Sequence, residues 1–184
     1  MRLIFLGAPG SGKTTHAKKL AADYQLPYIG TGEMLLEDIA QATPLGVQAQ
    51  AFVEQGKLVP DTLMIDMIRE RLRQSDTRQG WILDGYPRTA FQAEELDILF
   101  MREKHQVNYA IWLQVSADVL WERSQLRGRL DDQPEALQER LLAFENATKP
   151  LLEYYAVQQK LVIVLAERDP DSIQDEIRQR LGLI

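Results

Sequence analysis

Gly7-Ala8-Pro9-Gly10-Ser11-Gly12-Lys13-Thr14 is the stretch that decides the fold of this 184-residue chain. It matches the pattern G-x-x-x-x-G-K-[ST] at every fixed position and follows directly on the apolar run Leu3-Ile4-Phe5-Leu6. Behind it, residues 15–22 carry a helical pattern. A strand that leads into a glycine-rich loop and then into a helix is typical of a phosphate-binding loop.

Each residue type in this loop has a chemical reason. Glycines such as Gly10 and Gly12 let several backbone N–H groups point inward at an anion, and the following helix adds its positive N-terminal end. We expect Lys13 to reach the outer phosphates, and the hydroxyl of Thr14 or Thr15 to bind Mg²⁺ or phosphate. The loop therefore predicts a bound nucleoside triphosphate; the alternative is an ordinary glycine-rich turn before a helix.

The composition indicates one compact domain that binds neither nucleic acid nor a membrane. A chain of 184 residues with 45% hydrophobic content buries about 70% of its unfolded surface. Its net charge of −6 disfavours polyanionic partners, which reward a basic face. The lack of cysteine excludes disulfides and thiolate zinc sites and fits a reducing compartment. No apolar run approaches the roughly 20 residues of a membrane span, so we expect a cytoplasmic protein.

Apolar runs alternate with helical patterns along the chain. The expected strands cover residues 3–6, 26–29, 81–84, 109–115 and 161–165. The expected helices cover 15–23, 61–73, 90–104, 117–127, a long stretch from Pro134, and 170–182. Two more are expected within 30–59: one starts at Thr31, and the other starts at Thr43-Pro44 and ends at Gly56. Pro150 should kink or break the long stretch near Lys149, because proline lacks an N–H and clashes with the preceding turn. The order predicts an α/β fold, a doubly wound parallel five-stranded sheet flanked by helices.

The segment Asp84-Gly85-Tyr86-Pro87-Arg88 follows the third expected strand. Ligands of an open parallel sheet bind at the carboxyl edge of its strands. An acid at that edge, here Asp84, can hold Mg²⁺ through water. A local cap within a strand-end turn is the alternative, but the phosphate-binding loop favours the magnesium interpretation.

Arginines gather in one part of this acidic chain, at positions 123, 127, 129 and 140. Arg123 and Arg127 share one helical face by their i,i+4 spacing. The basic turn Arg127-Gly128-Arg129 indicates an anion-binding role, whereas Asp132 with Glu135 fits a capping box that opens the next helix. A solvated charged surface is the alternative.

Together these motifs make the sequence resemble the adenylate kinases over nearly the whole chain. The segments that carry the resemblance are Gly7 to Thr15, Thr31 to Leu35, Gly56 to Val59, Asp84 to Arg88 with Gln92, and Arg129 to Asp132 with Arg140. The resemblance implies one P-loop kinase domain whose core covers 1–29, 60–126 and 133–184. It also implies two mobile parts, a helical flap at 30–59 that binds the nucleoside monophosphate (the NMP flap) and a very short lid at about 127–132. Because one glycine separates Arg127 from Arg129, the long-lid members, some of which bind zinc, are poor models and no zinc is expected.

The resemblance further implies a monomer that transfers a phosphoryl group from Mg·ATP to AMP and yields two ADP. The implied ATP side comprises Gly10, Ser11, Gly12, Lys13, Thr14, Thr15, Arg123 and Arg127. The implied AMP side comprises Thr31, Leu36, Lys57, Leu58, Val59, Gly85, Tyr86, Pro87, Arg88, Gln92, Arg129 and Arg140, with Gln92 on the adenine. The implied catalytic group is Lys13, Arg88, Arg123, Arg129 and Arg140, and the implied Mg²⁺ ligands are Thr14 and, through water, Asp84.

One position departs from the family pattern. The family usually has an arginine after the Met-Leu pair, whereas this chain reads Met34-Leu35-Leu36-Glu37. No Lys or Arg occurs between Thr31 and Gly56, so no shifted alignment restores it. A phosphate ligand is therefore missing from the expected AMP side.

Several alternatives share the phosphate-binding loop. A UMP/CMP kinase is disfavoured by Thr31 and by the residues around Gln92. A kinase of small alcohols would need a carboxylate base, for which Asp84 could serve, but it would not need so many arginines. A switch GTPase is disfavoured because no Asn-Lys-x-Asp segment is present. A non-catalytic nucleotide-binding scaffold gains some support from Leu36 and is opposed by Lys13 and the arginines.

Overall fold

The computed structural model of the chain describes residues 1–55, 57–101, 106–127 and 134–183. The strands are β1 (Arg2–Leu6), β2 (Tyr28–Gly30), β3 (Trp81–Asp84), β4 (Tyr109–Gln114) and β5 (Leu161–Leu165). The helices are α1 (Lys13–Asp23), α2 (Thr31–Ala40), α3 (Pro44–Glu54), α4 (Asp61–Leu72), α5 (Ala90–Met101), α6 (Ala117–Arg127), α7 (Pro134–Ala143), α8 (Lys149–Val157) and α9 (Pro170–Arg180).

The strands form one parallel sheet in the order β2-β3-β1-β4-β5. The chain places β2 and β3 on one side of β1 and then β4 and β5 on the other. This confirms the predicted five-stranded α/β fold. Because the chain adds strands first on one side of β1 and then on the other, the loop after β1 lies where ligands of doubly wound sheets bind.

The core lies on both faces of the sheet. Successive side chains of a strand point to opposite faces, so in β1 Ile4 and Leu6 pack into one apolar cluster and Leu3 and Phe5 into the other. The first cluster is completed by α4, α5 and α8, and the second by α1 and α9. Burial on both faces explains why the strands appear in the sequence as continuous apolar runs.

The start of the NMP flap differs from the sequence prediction in two ways. β2 begins at Tyr28 rather than at residue 26, since Pro27 has no N–H to add to the ladder. α2 begins at Thr31 as expected, but a threonine at a helix start is a possible cap, and here Gly30 is the N-cap and Thr31 the first helical residue. The Thr31 hydroxyl instead donates to the backbone oxygen of Asp84 at 3.2 Å on the neighbouring strand. Thr43 does cap α3, accepting from the Gly46 nitrogen at 3.0 Å.

Pro150 acts as predicted. A π-helical turn over Phe144–Thr148 separates α7 from α8, with Lys149 between this turn and the proline. Proline lacks an N–H and its ring crowds the carbonyl four residues earlier, and the wider turn gives it room. The interruption expected near Lys149 is confirmed, since the π-helical turn ends at Thr148 and α8 begins at Lys149.

Some predictions fall outside the described residues. These are the closure of α3 at Gly56, the end of the helix predicted to reach residue 104, and the part of the lid at 128–132. Within the described ranges, no helix combines the length and the apolar character needed to cross a bilayer.

Candidate active site

The loop between β1 and α1 has the backbone geometry of an anion cradle. Gly10 and Gly12 adopt φ values of 85° and 90°, in the region that side-chain-bearing residues avoid. Gly12 is the N-cap of α1, and within the described chain no side chain caps this helix. The N–H groups of its first turn are therefore available to an anion. The Lys13 ammonium bends back over the loop and donates to the Ala8 oxygen at 2.9 Å.

A cleft beside this loop brings together cations from three parts of the chain. Lys13 of α1, Arg88 from the turn after β3 and Arg140 of α7 all line it. The remaining lining residues are Phe5, Leu6, Gly7, Pro9, Leu58, Gly85, Pro87, Ala143, Phe144 and Thr148. In a chain with a net charge of −6, such a gathering of positive charge fits a polyanionic ligand.

Asp84 ends β3 next to the loop, and its side chain is only 6% exposed. Two hydroxyl groups donate to its Oδ2 atom, that of Thr14 at 2.6 Å and that of Tyr28 at 2.9 Å. These donors belong to other elements, so the carboxylate does not cap its own turn. A carboxylate beside a hydroxyl offers the hard oxygen atoms that Mg²⁺ prefers, and this donor set fits the expected ion.

Two side chains around the loop have shifted pKa values. Burial, followed by the charge of Asp84, raises the pKa of the Tyr28 phenol, so Tyr28 stays a hydrogen-bond donor at neutral pH. Burial lowers the pKa of His16, whose Nδ1 lies 2.9 Å from the Gln174 Oε1 atom. A Cβ atom on Gly12 would lie 3.4 Å from the His16 ring. A neutral imidazole therefore supports the loop from the core side.

A hydrogen-bonded network orders the turn that carries Arg88. The Arg88 backbone nitrogen donates to Gln92 Oε1 at 2.7 Å, and Gln92 Nε2 donates to Asp61 Oδ1 at 2.7 Å. The Arg88 Nε atom donates to the Gly85 oxygen at 2.8 Å. Gln92 is 2% exposed and joins the turn to α4. Its contact with adenine stays a prediction.

The other predicted site residues are spread over several environments. Thr31, Tyr86 and Val59 are buried, Leu58 lines the cleft, and Thr15 and Lys57 are exposed. Leu36 is 58% exposed and is not among the described lining residues of the cleft. Arg123 donates from Nη1 to the Ala166 oxygen at 2.8 Å, which ties α6 to the end of β5. Arg129, Asp131 and Asp132 lie outside the described residues, as does the Arg127 side chain.

The sequence did not point to Tyr28, Asp61 or Phe144. Tyr28 reaches Asp84 only because β2 is the neighbour of β3, and the strand order cannot be obtained from local patterns. Asp61 opens α4 and was assigned only a helical role. Phe144 enters the cleft through the π-helical turn, whose length the sequence does not indicate.

The chain is similar in sequence to known proteins over its full length. A family model described as adenylate kinase matches residues 5–160. Adenylate kinase 2 from Synechocystis sp. is 48% identical over 181 residues, which cover 98% of this chain and 100% of that protein. An adenylate kinase from Xylella fastidiosa is 40% identical over 187 residues, covering 100% and 98% of the two chains. One from Trichodesmium erythraeum is 39% identical over 189 residues, covering 100% and 99%.

Proposed function

The chain belongs to the adenylate kinase family, and we propose that it transfers the γ-phosphoryl group of Mg·ATP reversibly to AMP, giving two ADP. The observation that carries the proposal is the cleft in which Lys13, Arg88 and Arg140 converge beside the phosphate-binding loop. Three cations on one cleft suit a pair of polyanions better than a single alcohol substrate. Thr31 and Gln92 favour AMP as the acceptor over UMP or CMP.

Phosphoryl transfer requires the protein to position the two nucleotides and to neutralise their charge, and it does not require a general base. The AMP phosphate is already largely ionised at neutral pH, so its oxygen can attack the γ-phosphorus in line. The protein must align the two nucleotides, offset their repulsion and exclude water. Lys13 and the loop N–H groups hold the ATP phosphates, and Arg88 and Arg140 hold the transferring and acceptor phosphates. Closure of the NMP flap and of the lid at 127–132 excludes water from the reaction.

Thr14 and Asp84 are the residues that would hold the magnesium ion. Because Thr14 donates its hydroxyl proton to Asp84, the lone pairs of its oxygen stay available to a cation. Among the described residues, no group of three or more His, Asp or Glu side chains could hold a metal. The ion would therefore take its other ligands from water and phosphate, as Mg²⁺ commonly does. Bound Mg²⁺ neutralises charge on the phosphates.

Two further features belong to the proposal. The protein acts as a monomer, as the family resemblance implies. It works in the cytoplasm, where ATP and AMP are both present and where a chain without cysteine needs no oxidising compartment.

The decisive assay supplies ADP alone with Mg²⁺ and measures the ATP and AMP that form. The wild-type protein should produce both in equal amounts, and with ATP present it should accept AMP in preference to UMP, CMP and GMP. Lys13→Met is the matched control, because the side chain contacts the loop rather than the core. Its kcat should fall by about 100-fold or more. Absence of ATP formation by the wild type, or a variant that keeps over about a tenth of its kcat, would contradict the proposal.

A further inference from the structure

Tyr28 contacts Asp84 although it lies outside the motifs that carry the family resemblance. In the sheet, Gly30 is paired with Asp84 and Tyr28 with Ile82, so the tyrosine ring must turn along its own strand to reach the carboxylate. Its hydroxyl donates to Asp84 Oδ2, the same atom that accepts from Thr14. Among the described residues, no donor bonds the other oxygen, Oδ1. The two hydroxyls therefore hold one carboxylate oxygen and leave the second for another ligand.

Gly30 makes this arrangement possible. Residues two apart share a face of a strand, so a side chain at position 30 would stand beside the Tyr28 ring. A Cβ atom there would lie 2.4 Å from the Tyr28 hydroxyl oxygen and 2.8 Å from the ring atoms Cε1 and Cζ. The ring thus fills the space that such a side chain would occupy. The Lys18 ammonium lies 5.0 Å from the ring centroid.

We propose that Tyr28, whose ring packs against Gly30, is a positioning residue that orients the Asp84 carboxylate toward the cation of the metal–nucleotide substrate. This inference rests on the proposed function. With Thr14 as its single donor, the carboxylate could still turn about its Cβ–Cγ bond. A second donor on the same oxygen, from a different strand, fixes its plane and so fixes where Oδ1 points. Removal of a partner that holds a metal-binding group in this way commonly lowers the metal affinity about tenfold or more.

The test measures cation binding directly, with Mn²⁺ as the probe ion. The Kd of Mn²⁺ is determined by electron paramagnetic resonance on the protein saturated with a non-hydrolysable ATP analogue. Tyr28→Phe should raise this Kd about tenfold and should raise the Mg²⁺ concentration needed for half-maximal ADP turnover to a similar extent. The KM for AMP should stay within about twofold, because AMP does not contact the cation site. Gly30→Ala should weaken Mn²⁺ binding as well, since it displaces the ring and keeps the hydroxyl.

Tyr109→Phe is the matched control. Tyr109 is also partly buried, but it lies at the amino end of β4, away from the carboxyl edge of the sheet. Its Kd for Mn²⁺ should equal that of the wild type. If the wild type converts ADP into ATP and AMP while Tyr28→Phe binds Mn²⁺ as Tyr109→Phe does, the positioning role is wrong and the proposed function stands. A lower melting temperature without a change in this Kd would equally overturn the role. A wild type that forms no ATP from ADP overturns both.

Discussion

At the residue scale, both ends of the Gln92 amide form hydrogen bonds within the protein. Its Oε1 atom accepts from the Arg88 backbone nitrogen at 2.7 Å, and its Nε2 atom donates to Asp61 Oδ1 at 2.7 Å. A primary amide has two N–H donors and two acceptor lone pairs. Among the described contacts, one donor and one acceptor of the amide therefore remain, and in the proposed function they would pair with the Watson–Crick edge of the AMP adenine. The internal bonds fix the amide plane in advance, which lowers the entropic cost of pairing with the base.

Gln92→Leu should weaken AMP binding far more than ATP binding, because it leaves a polar adenine edge unpaired on the acceptor side only. The expected loss is about 1 to 3 kcal/mol, or roughly five- to 150-fold in KM for AMP. Discrimination between AMP and GMP should fall with it. Asp61→Ala is the control, since it removes the internal partner of Gln92 and keeps the amide. Asp61→Ala should lower base discrimination less than Gln92→Leu does, and unchanged discrimination in Gln92→Leu would mean that Gln92 only supports the turn.

His16 gives a prediction about pH. Above its ordinary pKa of about 6.5, the imidazole is neutral in both folded and unfolded protein. Burial lowers the pKa in the folded state. As the pH falls below about 6.5, the unfolded chain therefore binds a proton that the folded chain resists, and the free energy of unfolding decreases. Between about pH 7.5 and 5.5, the wild type should lose more stability than His16→Gln, in which an amide can still bond Gln174.

Urea unfolding at both pH values measures this difference. All other titratable groups are shared by the two proteins, so their contributions cancel in the comparison. Equal losses in the two proteins would show that His16 titrates alike in the folded and unfolded states.

At the scale of elements, the sequence predicts most of the sheet and helices because their patterns are local. The buried strands are continuous apolar runs, and Pro44, Pro134 and Pro170 mark helix starts. What it misses depends on contacts between distant segments. Thr31 carries a capping side chain, yet its hydroxyl bonds Asp84 of the neighbouring strand. Tyr28 enters the site for the same reason.

The packing of α2 on α3 gives a prediction about the NMP flap. A Cβ atom on Gly46 of α3 would lie 2.1 Å from the Asp38 carbonyl oxygen of α2, so the two helices must separate to admit it. Gly46→Ala should lower the free energy of unfolding by about 1 to 3 kcal/mol, as overpacking does, and should speed hydrogen exchange in both helices. Gly32→Ala is the matched control. A Cβ there meets nothing within 4 Å, so the change should be neutral or stabilise by up to about 1 kcal/mol.

Unfolding in urea and amide exchange distinguish the two variants. If both lose stability to the same extent, the close approach of the two helices at Gly46 does not constrain the flap.

At the scale of the whole molecule, charge is divided unevenly between the NMP flap and the rest of the protein. Residues 31–56 contain Glu33, Glu37, Asp38 and Glu54 and no basic residue. The cations of the described cleft come from α1, from the turn after β3 and from α7. Lys57 is the one basic residue of the flap, so in the proposed function the dianionic phosphate of AMP must be held mainly from outside it. We therefore expect weak AMP binding for a member of this family.

Leu36→Arg tests this division of charge. Leu36 is 58% exposed, whereas its neighbour Leu35 is 7% exposed, so the substitution removes little packing. If the AMP phosphate passes near this position, the new guanidinium adds a charge-assisted hydrogen bond. Such a bond contributes about 1.5 to 3 kcal/mol, or roughly ten- to 150-fold in AMP affinity. Glu37 competes for the new charge and shifts the gain toward the lower end.

Val47→Arg is the control that separates position from net charge. Val47 is 63% exposed on α3 of the same flap, so this variant adds the same charge at a different place. A general electrostatic attraction would tighten AMP binding alike in both variants and would fade with added salt. A specific contact would tighten it in Leu36→Arg alone and would leave the Kd for ATP unchanged. Calorimetric Kd values for AMP and ATP at two ionic strengths decide between these results. If Leu36→Arg does not bind AMP more tightly than the wild type, the phosphate does not approach residue 36.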